Sequence, residues 1–321
     1  MKKINAVIFI HGMTTEFKPP EPIAKFYKPM WESLVSKIPG FKSPQWQPIF
    51  VKWGNVFPGD SRPFRQDQKL SLAEQRTTLL ASKNINPMPG SGRWDFGWPI
   101  LRQHLEPLRF RVLRGLSDAM YYCSHDGERH VRKAVYGQVL ERLSPLLRAG
   151  LSVRLHVIAH SLGNVVAHDF LYGIFNTRKR PDFACDKVSN KAHRRTYLDL
   201  RKLAKGPQPR VTFGSFSSMA SPMPFFVVRK QKIVNLLAEG KGLDAAQIGI
   251  DIGRDDLQWK IFYDKDDILG FPTRNLYENA GGAIGDYHVS TGWLPLAAHM
   301  NYWKNKDVLR ETAELLGRRR L

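Results

Sequence analysis

The chain has 321 residues, 42% of them hydrophobic and 24% charged, an ordinary globular composition with enough length for one large core or one core plus a cap. It carries 49 Lys and Arg against 29 Asp and Glu, a net charge of +20, which favours anionic partners such as phospholipid headgroups, nucleic acid or acidic protein, in a salt-sensitive way. No window holds the roughly 18 consecutive apolar residues that a membrane-spanning helix needs, and two distant cysteines, Cys123 and Cys185, argue against a disulfide framework or a thiolate metal site.

The opening stretch, MKKINAVIFIHG, has two lysines and a short apolar run. Its apolar part, AVIFI, is shorter than the roughly 7–15 residues of a signal peptide, and no small-residue cleavage site follows. It reads as a buried strand ending in a glycine turn. The expected compartment is the cytoplasm, with peripheral membrane contact or export without a cleavable signal left open. WQPIFVKWG, from Trp46, reads as a second strand. Residues 56–124 are irregular and rich in Pro, Gly, Arg and aromatics, among them Phe57, Phe64, Trp94, Phe96, Trp98, Tyr121 and Tyr122. Two readings stand here: a cap or lid inserted before the middle of the chain, or a decorated surface with its own aromatic cluster.

ERHVRKAVYGQVLERLSPLLRAG carries Val131, Val135, Val139 and Leu143 at helical spacing and closes on Gly150, a natural helix stop. SVRLHVIA is then a strand, and LGNVVAHDFLYGIF a helix with Val165, Val166, Phe170 and Ile174 on one side. Residues 176–208 form a basic excursion. Strands are expected to begin at Arg210 and Leu257, and NKDVLRETAELLGRRR is a closing helix, acidic early and basic late as its dipole prefers. Strands alternating with helices define an α/β fold with a predominantly parallel sheet, expected as a single domain over residues 1–321. No helix-turn-helix, ribonucleoprotein or zinc-finger pattern accompanies the basic charge, so sequence-specific nucleic-acid reading is not expected.

Between the middle strand and its helix stands Ala159-His160-Ser161-Leu162-Gly163. A serine projecting from a tight strand-to-helix turn is strained, and residues two positions either side crowd the neighbouring strand and helix, so small residues are needed there. The G-x-S-x-G form of this turn has glycine where this chain has Ala159, a departure of one methyl group. The plain alternative is a serine capping the following helix. A nucleophile also needs two N–H groups for the developing oxyanion, one from the residue after the serine and one from the loop after an early strand. Leu162 supplies the first, and Met13, after His11-Gly12, is the candidate for the second.

With FIHG early, AHSLG in the middle and HMNYW late, the chain resembles an α/β-hydrolase of the lipase-like branch. The resemblance implies a triad in chain order Ser, acid, His, with the acid after a late strand and the histidine before the last helix. Ser161 is then the nucleophile. Asp264, Asp266 and Asp267 compete for the acid; Asp267, followed by Ile268, sits where the superfamily's acid falls and is chosen. The three could instead bind calcium, but DKDDILGFPTRN lacks the glycine and glutamate positions of an EF-hand loop, so a calcium site is not expected. His299 is the expected base, in a loop before the closing helix; His288 is the rival, in a context more like a strand end. His160 and His11 are expected to line the pocket. NAGGAIGD, from Asn279, reads as a loop.

The implied activity is hydrolysis of a carboxylic ester through an acyl-enzyme, with no metal or organic cofactor. Cationic surface and aromatics together favour a lipid or phospholipid ester met at an anionic membrane. The alternatives are a thioesterase or soluble-ester esterase, and a catalytically silent hydrolase-fold module that binds through its basic face.

Overall fold

The computed structural model describes residues 2–12, 25–53, 119–120, 122–177, 191–227 and 231–318. Met13, nearly all of the 56–124 insertion, Cys185 and residues 178–190 of the basic excursion lie outside the described residues.

Six strands form one sheet: β1 (Lys3–Ile10), β2 (Trp46–Val51), β3 (Ser152–His160), β4 (Val211–Met219), β6 (Trp259–Tyr263) and β8 (Ile284–His288). Their order is β2-β1-β3-β4-β6-β8 and every neighbouring pair is parallel. A two-residue pair, β5 (Leu243–Asp244) with β7 (Tyr277–Glu278), stands apart. All of β1 except Lys3 is buried, the expected state of a parallel strand covered on both faces.

The two-residue period of a strand explains how one sheet serves two cores. Ala6, Ile8 and Ile10 point into one cluster, with Val135, Val139 and Leu143 of α2 (His125–Arg148) and Val166 and Phe170 of α3 (Leu162–Phe175). Val7 and Phe9 point into the other, with Met30 and Leu34 of α1 (Lys28–Lys37) and Val308 and Leu316 of α8 (Lys306–Gly317). Burial of each such large side chain contributes roughly 1.5–3 kcal/mol. The sequence expectation of a parallel α/β architecture agrees with this arrangement.

Within the basic excursion, residues Lys191–Leu203 form α4, which was not foreseen. Its buried positions Thr196, Tyr197, Leu200 and Arg201 recur at helical spacing. Arg201 donates to the carbonyl of Gly173 and, at 3.0 Å, to Asn176 Oδ1, placing a cation at the carboxyl end of α3, where the dipole favours one. After β4 the chain forms α5 (Met223–Val227) and α6 (Gln231–Ala238). His299 lies in a short helix, α7 (Pro295–Met300), rather than in a loop, and a 3₁₀ turn, Asn301–Lys304, joins it to α8. The last residues of the NAGGAIGD run, from Ile284, belong to β8 instead of a loop. Among the described residues no helix is long and apolar enough to cross a membrane.

The chain runs from β1 outward to β2, then returns past β1 to β3. The crossover helices α1 and α2 therefore lie on opposite faces, and the strand order reverses direction between β1 and β3. Open parallel sheets bind ligands at such a switch point.

Candidate active site

Ser161 sits at that switch point, between the last residue of β3 and the first of α3. Its backbone has φ 53° and ψ −133°, outside the regions open to a residue with a Cβ at low cost, and such a conformation stores about 1–3 kcal/mol. The surroundings hold it there. Its N–H donates to Met219 O at 2.9 Å. Its carbonyl accepts from the backbone N–H of Asn164 at 2.9 Å and from Asn164 Nδ2 at 3.0 Å. Asn164 Nδ2 also donates to Met219 O, and its Oδ1 accepts from Ser218 Oγ, each at 2.8 Å. Asn164 is a buried bracket that the sequence reading missed; an asparagine three residues after the serine was its only trace.

The small flanking residues have the steric cause expected of them. A Cβ on Gly163 would lie 2.6 Å from the carbonyl oxygen of His11 and 2.7 Å from that of Ile10. One on Gly12 would lie 2.6 Å from Ser161 Cβ. Ala159 pairs with Ile10 within the sheet, where a methyl group fits. Gly163→Ala is therefore expected to lower unfolding stability by about 1–3 kcal/mol, the usual cost of overpacking against atoms that cannot retreat. Urea denaturation checks this, and an unchanged midpoint would mean that α3 can shift freely.

His299 Nε2 stands 2.9 Å from Ser161 Oγ, and His299 Nδ1 stands 2.9 and 3.1 Å from the two carboxylate oxygens of Asp267. A carboxylate accepts and does not donate, so Nδ1 carries the proton and the Nε2 lone pair faces the serine hydroxyl. All three residues are buried. Asp267 Oδ1 also accepts from Leu269 N–H at 2.9 Å, and Oδ2 from the Tyr302 hydroxyl at 3.1 Å. Any Cβ on Gly270 would collide with that same Oδ2.

The two competing aspartates have other situations. Asp264 is buried and ties two loops together: Oδ1 accepts from Asp266 N–H at 3.0 Å, and Oδ2 from the backbone N–H and the hydroxyl of Thr291. Burial opposes ionisation of Asp264, but these bonds and one from Gly292 N–H outweigh it and hold the carboxyl below its usual range. Asp266 is exposed. His288 ends β8, exposed, with its ring edge-on to Tyr263. Of the three aspartates and two histidines, the fold brings Asp267 and His299 to Ser161.

His160 and His11 are buried beside the site. His160 Nε2–H donates to the His299 carbonyl at 2.7 Å, and its ring lies 4.9 Å from the His299 ring. Burial first, then the charge His299 can carry, lower the pKa of His160 to about 3. His11 Nδ1–H donates to Gly12 O at 2.6 Å and Nε2 accepts from Trp53 N–H at 3.2 Å. Trp53 Nε1 in turn donates to His11 O at 2.9 Å, and the two rings stack. Burial lowers His11 to about 3 as well, against the opposing bond to Gly12. Both rings are neutral near pH 7, and both hold backbone at the site.

Leu162 is wholly buried as the first residue of α3. Its N–H belongs to the first turn, which has no carbonyl four residues back inside the helix, and lies at the positive end of the dipole. Comparisons with protein-family models, with curated proteins and with solved structures found no match.

Proposed function

We propose that this chain is a serine hydrolase of the α/β-hydrolase type, cleaving a carboxylic ester through an acyl-enzyme. The observation that carries the reading is the continuous hydrogen-bonded series Asp267–His299–Ser161, ending on a serine held at positive φ between strand and helix. The strand order β2-β1-β3-β4-β6-β8, with the serine after the central β3, is compatible with that fold.

Ser161 Oγ attacks the acyl carbon as its proton passes to His299 Nε2, and the carbonyl π pair moves onto oxygen. The imidazolium is held by the Asp267 charge. The Leu162 N–H, with that of Met13 as the second donor assigned from the sequence, stabilises the oxyanion, an effect on the order of 3–4 kcal/mol per donor. Collapse breaks the ester C–O bond, and the leaving alkoxide takes the proton from Nε2. Water then repeats the sequence on the acyl-serine, giving the free acid and restoring Ser161.

A substrate of lipid type is supported by the distribution of exposed apolar side chains. Eight large hydrophobic residues are exposed among the described ones, and five of them, Phe225, Ile268, Trp293, Leu294 and Met300, follow the carboxyl ends of β4, β6 and β8. Exposed apolar residues in the segments that follow the strands carrying a site suit an acyl chain or a lipid interface better than a small soluble ester. The net charge of +20 adds attraction to anionic headgroups.

The test is reaction with a fluorophosphonate, the adduct mapped by mass spectrometry, followed by a panel of short- and long-chain acyl esters and an acyl thioester. The expected result is an adduct on Ser161 and preference for long-chain esters. An adduct with preference for short-chain esters or the thioester would retain the hydrolase and remove the lipid. A folded protein that forms no adduct, with detergent present, would favour the binding-module alternative.

A further inference from the structure

Tyr302 is fully buried in the 3₁₀ turn that follows α7, three residues beyond His299. Its hydroxyl accepts from the backbone N–H of Asp264 at 2.7 Å. A backbone amide can only donate, so the single hydroxyl proton is left for the other neighbour, Asp267 Oδ2 at 3.1 Å. The direction of this bond is thus imposed by the loop after β6, which offers an amide on one side of the phenol and a carboxylate on the other. Burial above all, together with the Asp267 charge, raises the Tyr302 pKa far above its ordinary value, so the phenol remains a donor at every working pH.

We infer that Tyr302 is a positioning residue that sets the orientation of Asp267 and the share of its charge offered to His299; the inference rests on the hydrolase reading for its kinetic consequence only. Asp267 Oδ2 is shared between Tyr302 and His299 Nδ1. A donor on that oxygen draws charge away from the imidazole, so an imidazolium is stabilised less than a bare carboxylate would stabilise it. Tyr302 therefore takes a share of the carboxylate's charge while fixing that carboxylate in the plane the imidazole needs. Among the described residues, the other titratable groups facing this pair are His160 from β3, its ring 4.9 Å from His299 and 6.0 Å from Tyr302, and Asp264, whose carboxylate is taken up by Asp266 and Thr291. Among the described residues, Ser161 is the remaining polar neighbour of the His299 ring.

Two substitutions with opposite expected signs form the test. Tyr302→Phe removes the donor, and site-specific replacement of Tyr302 by 3-fluorotyrosine strengthens it while keeping both bonds. The readouts are the His299 ring titration by NMR and the pH dependence of fluorophosphonate labelling. With Phe, the His299 titration and the acid limb of labelling should both move up by about 0.5–1 pH unit, and labelling at neutral pH should slow about tenfold. With 3-fluorotyrosine, both should move down. A His299 titration that stays in place in the fluorotyrosine protein, or in a folded Phe variant that has lost only thermal stability, would overturn the inference. Titrations that move as expected in a protein that never labels would uphold the positioning role and reject the hydrolase reading. The fluorotyrosine protein decides the matter alone if the Phe variant does not fold.

Discussion

Asp267→Asn is expected to slow fluorophosphonate labelling and ester turnover by about 10⁴-fold, the scale of loss when a triad acid is replaced by its uncharged amide. Ser161→Ala should abolish labelling altogether, because the adduct is expected on its Oγ. The argument for Asp267 is geometric. Its carboxylate receives His299 Nδ1–H, Leu269 N–H and Tyr302 O–H, three donors for which an amide offers one oxygen. The amide also brings no charge to the buried imidazolium, where water cannot replace it. Asp264→Asn is the control. That carboxylate holds Asp266 and Thr291 and makes no bond to His299 in this arrangement, so the variant should lose about 1–3 kcal/mol of stability. Its labelling rate per folded molecule should stay within about tenfold of the parent, since a structural loss leaves the reacting groups in place. Equal kinetic losses in the two variants, or the greater loss in Asp264→Asn, would move the acid's role to Asp264.

The sheet was legible because its signals are local. AVIFI is a continuous apolar run and LHVIA is one broken only by His156, and a run buried on both faces is what a central parallel strand requires. The serine turn was legible for the same reason: strand, Ala159, Ser161, Gly163 and helix follow within a few residues, and the steric demand lies within them. The choice among Asp264, Asp266 and Asp267 was made from a pattern rather than from contact, although contact is what separates them. Asp264 is occupied by Thr291, 27 residues later, and nothing local to either residue announces the other. Tyr302 was hidden likewise, because its two bonds reach back to residues 264 and 267 across β8. The helix α4 was masked by composition. Its buried stripe consists of Thr196, Tyr197, Leu200 and Arg201, and a stripe containing threonine and arginine does not stand out in a basic segment. The placement of His299 in a loop failed because α7 has only six residues, too short to display a helical period.

Acidification from pH 7.5 to pH 5 is expected to lower unfolding stability by about 4 kcal/mol through His11 and His160 alone. Both rings are buried and have pKa values lowered to about 3, burial being the main cause in each. In the unfolded chain each returns to about 6.5. Between those values the unfolded state binds protons that the folded state refuses, so stability falls as pH falls. The contribution is fully present above about pH 6.5 and is lost on the way to about pH 3. The slope is about 1.4 kcal/mol per pH unit for each ring, or about 2.7 for the pair. Against a typical total of about 5–15 kcal/mol, a loss of about 4 kcal/mol leaves about 1–11 kcal/mol, so the effect is large enough to read in unfolding midpoints. Asp264 acts in the same direction but in a lower window, because its pKa starts in the carboxylate range and is lowered further by folding. Urea midpoints at several pH values between 7.5 and 5 measure the effect before the carboxylates titrate. His160→Gln should remove about half of the slope, at a fixed cost for the bond to the His299 carbonyl. A stability that is level across this window would mean that the folded protein admits a proton to both rings, and with it water to the back of the site.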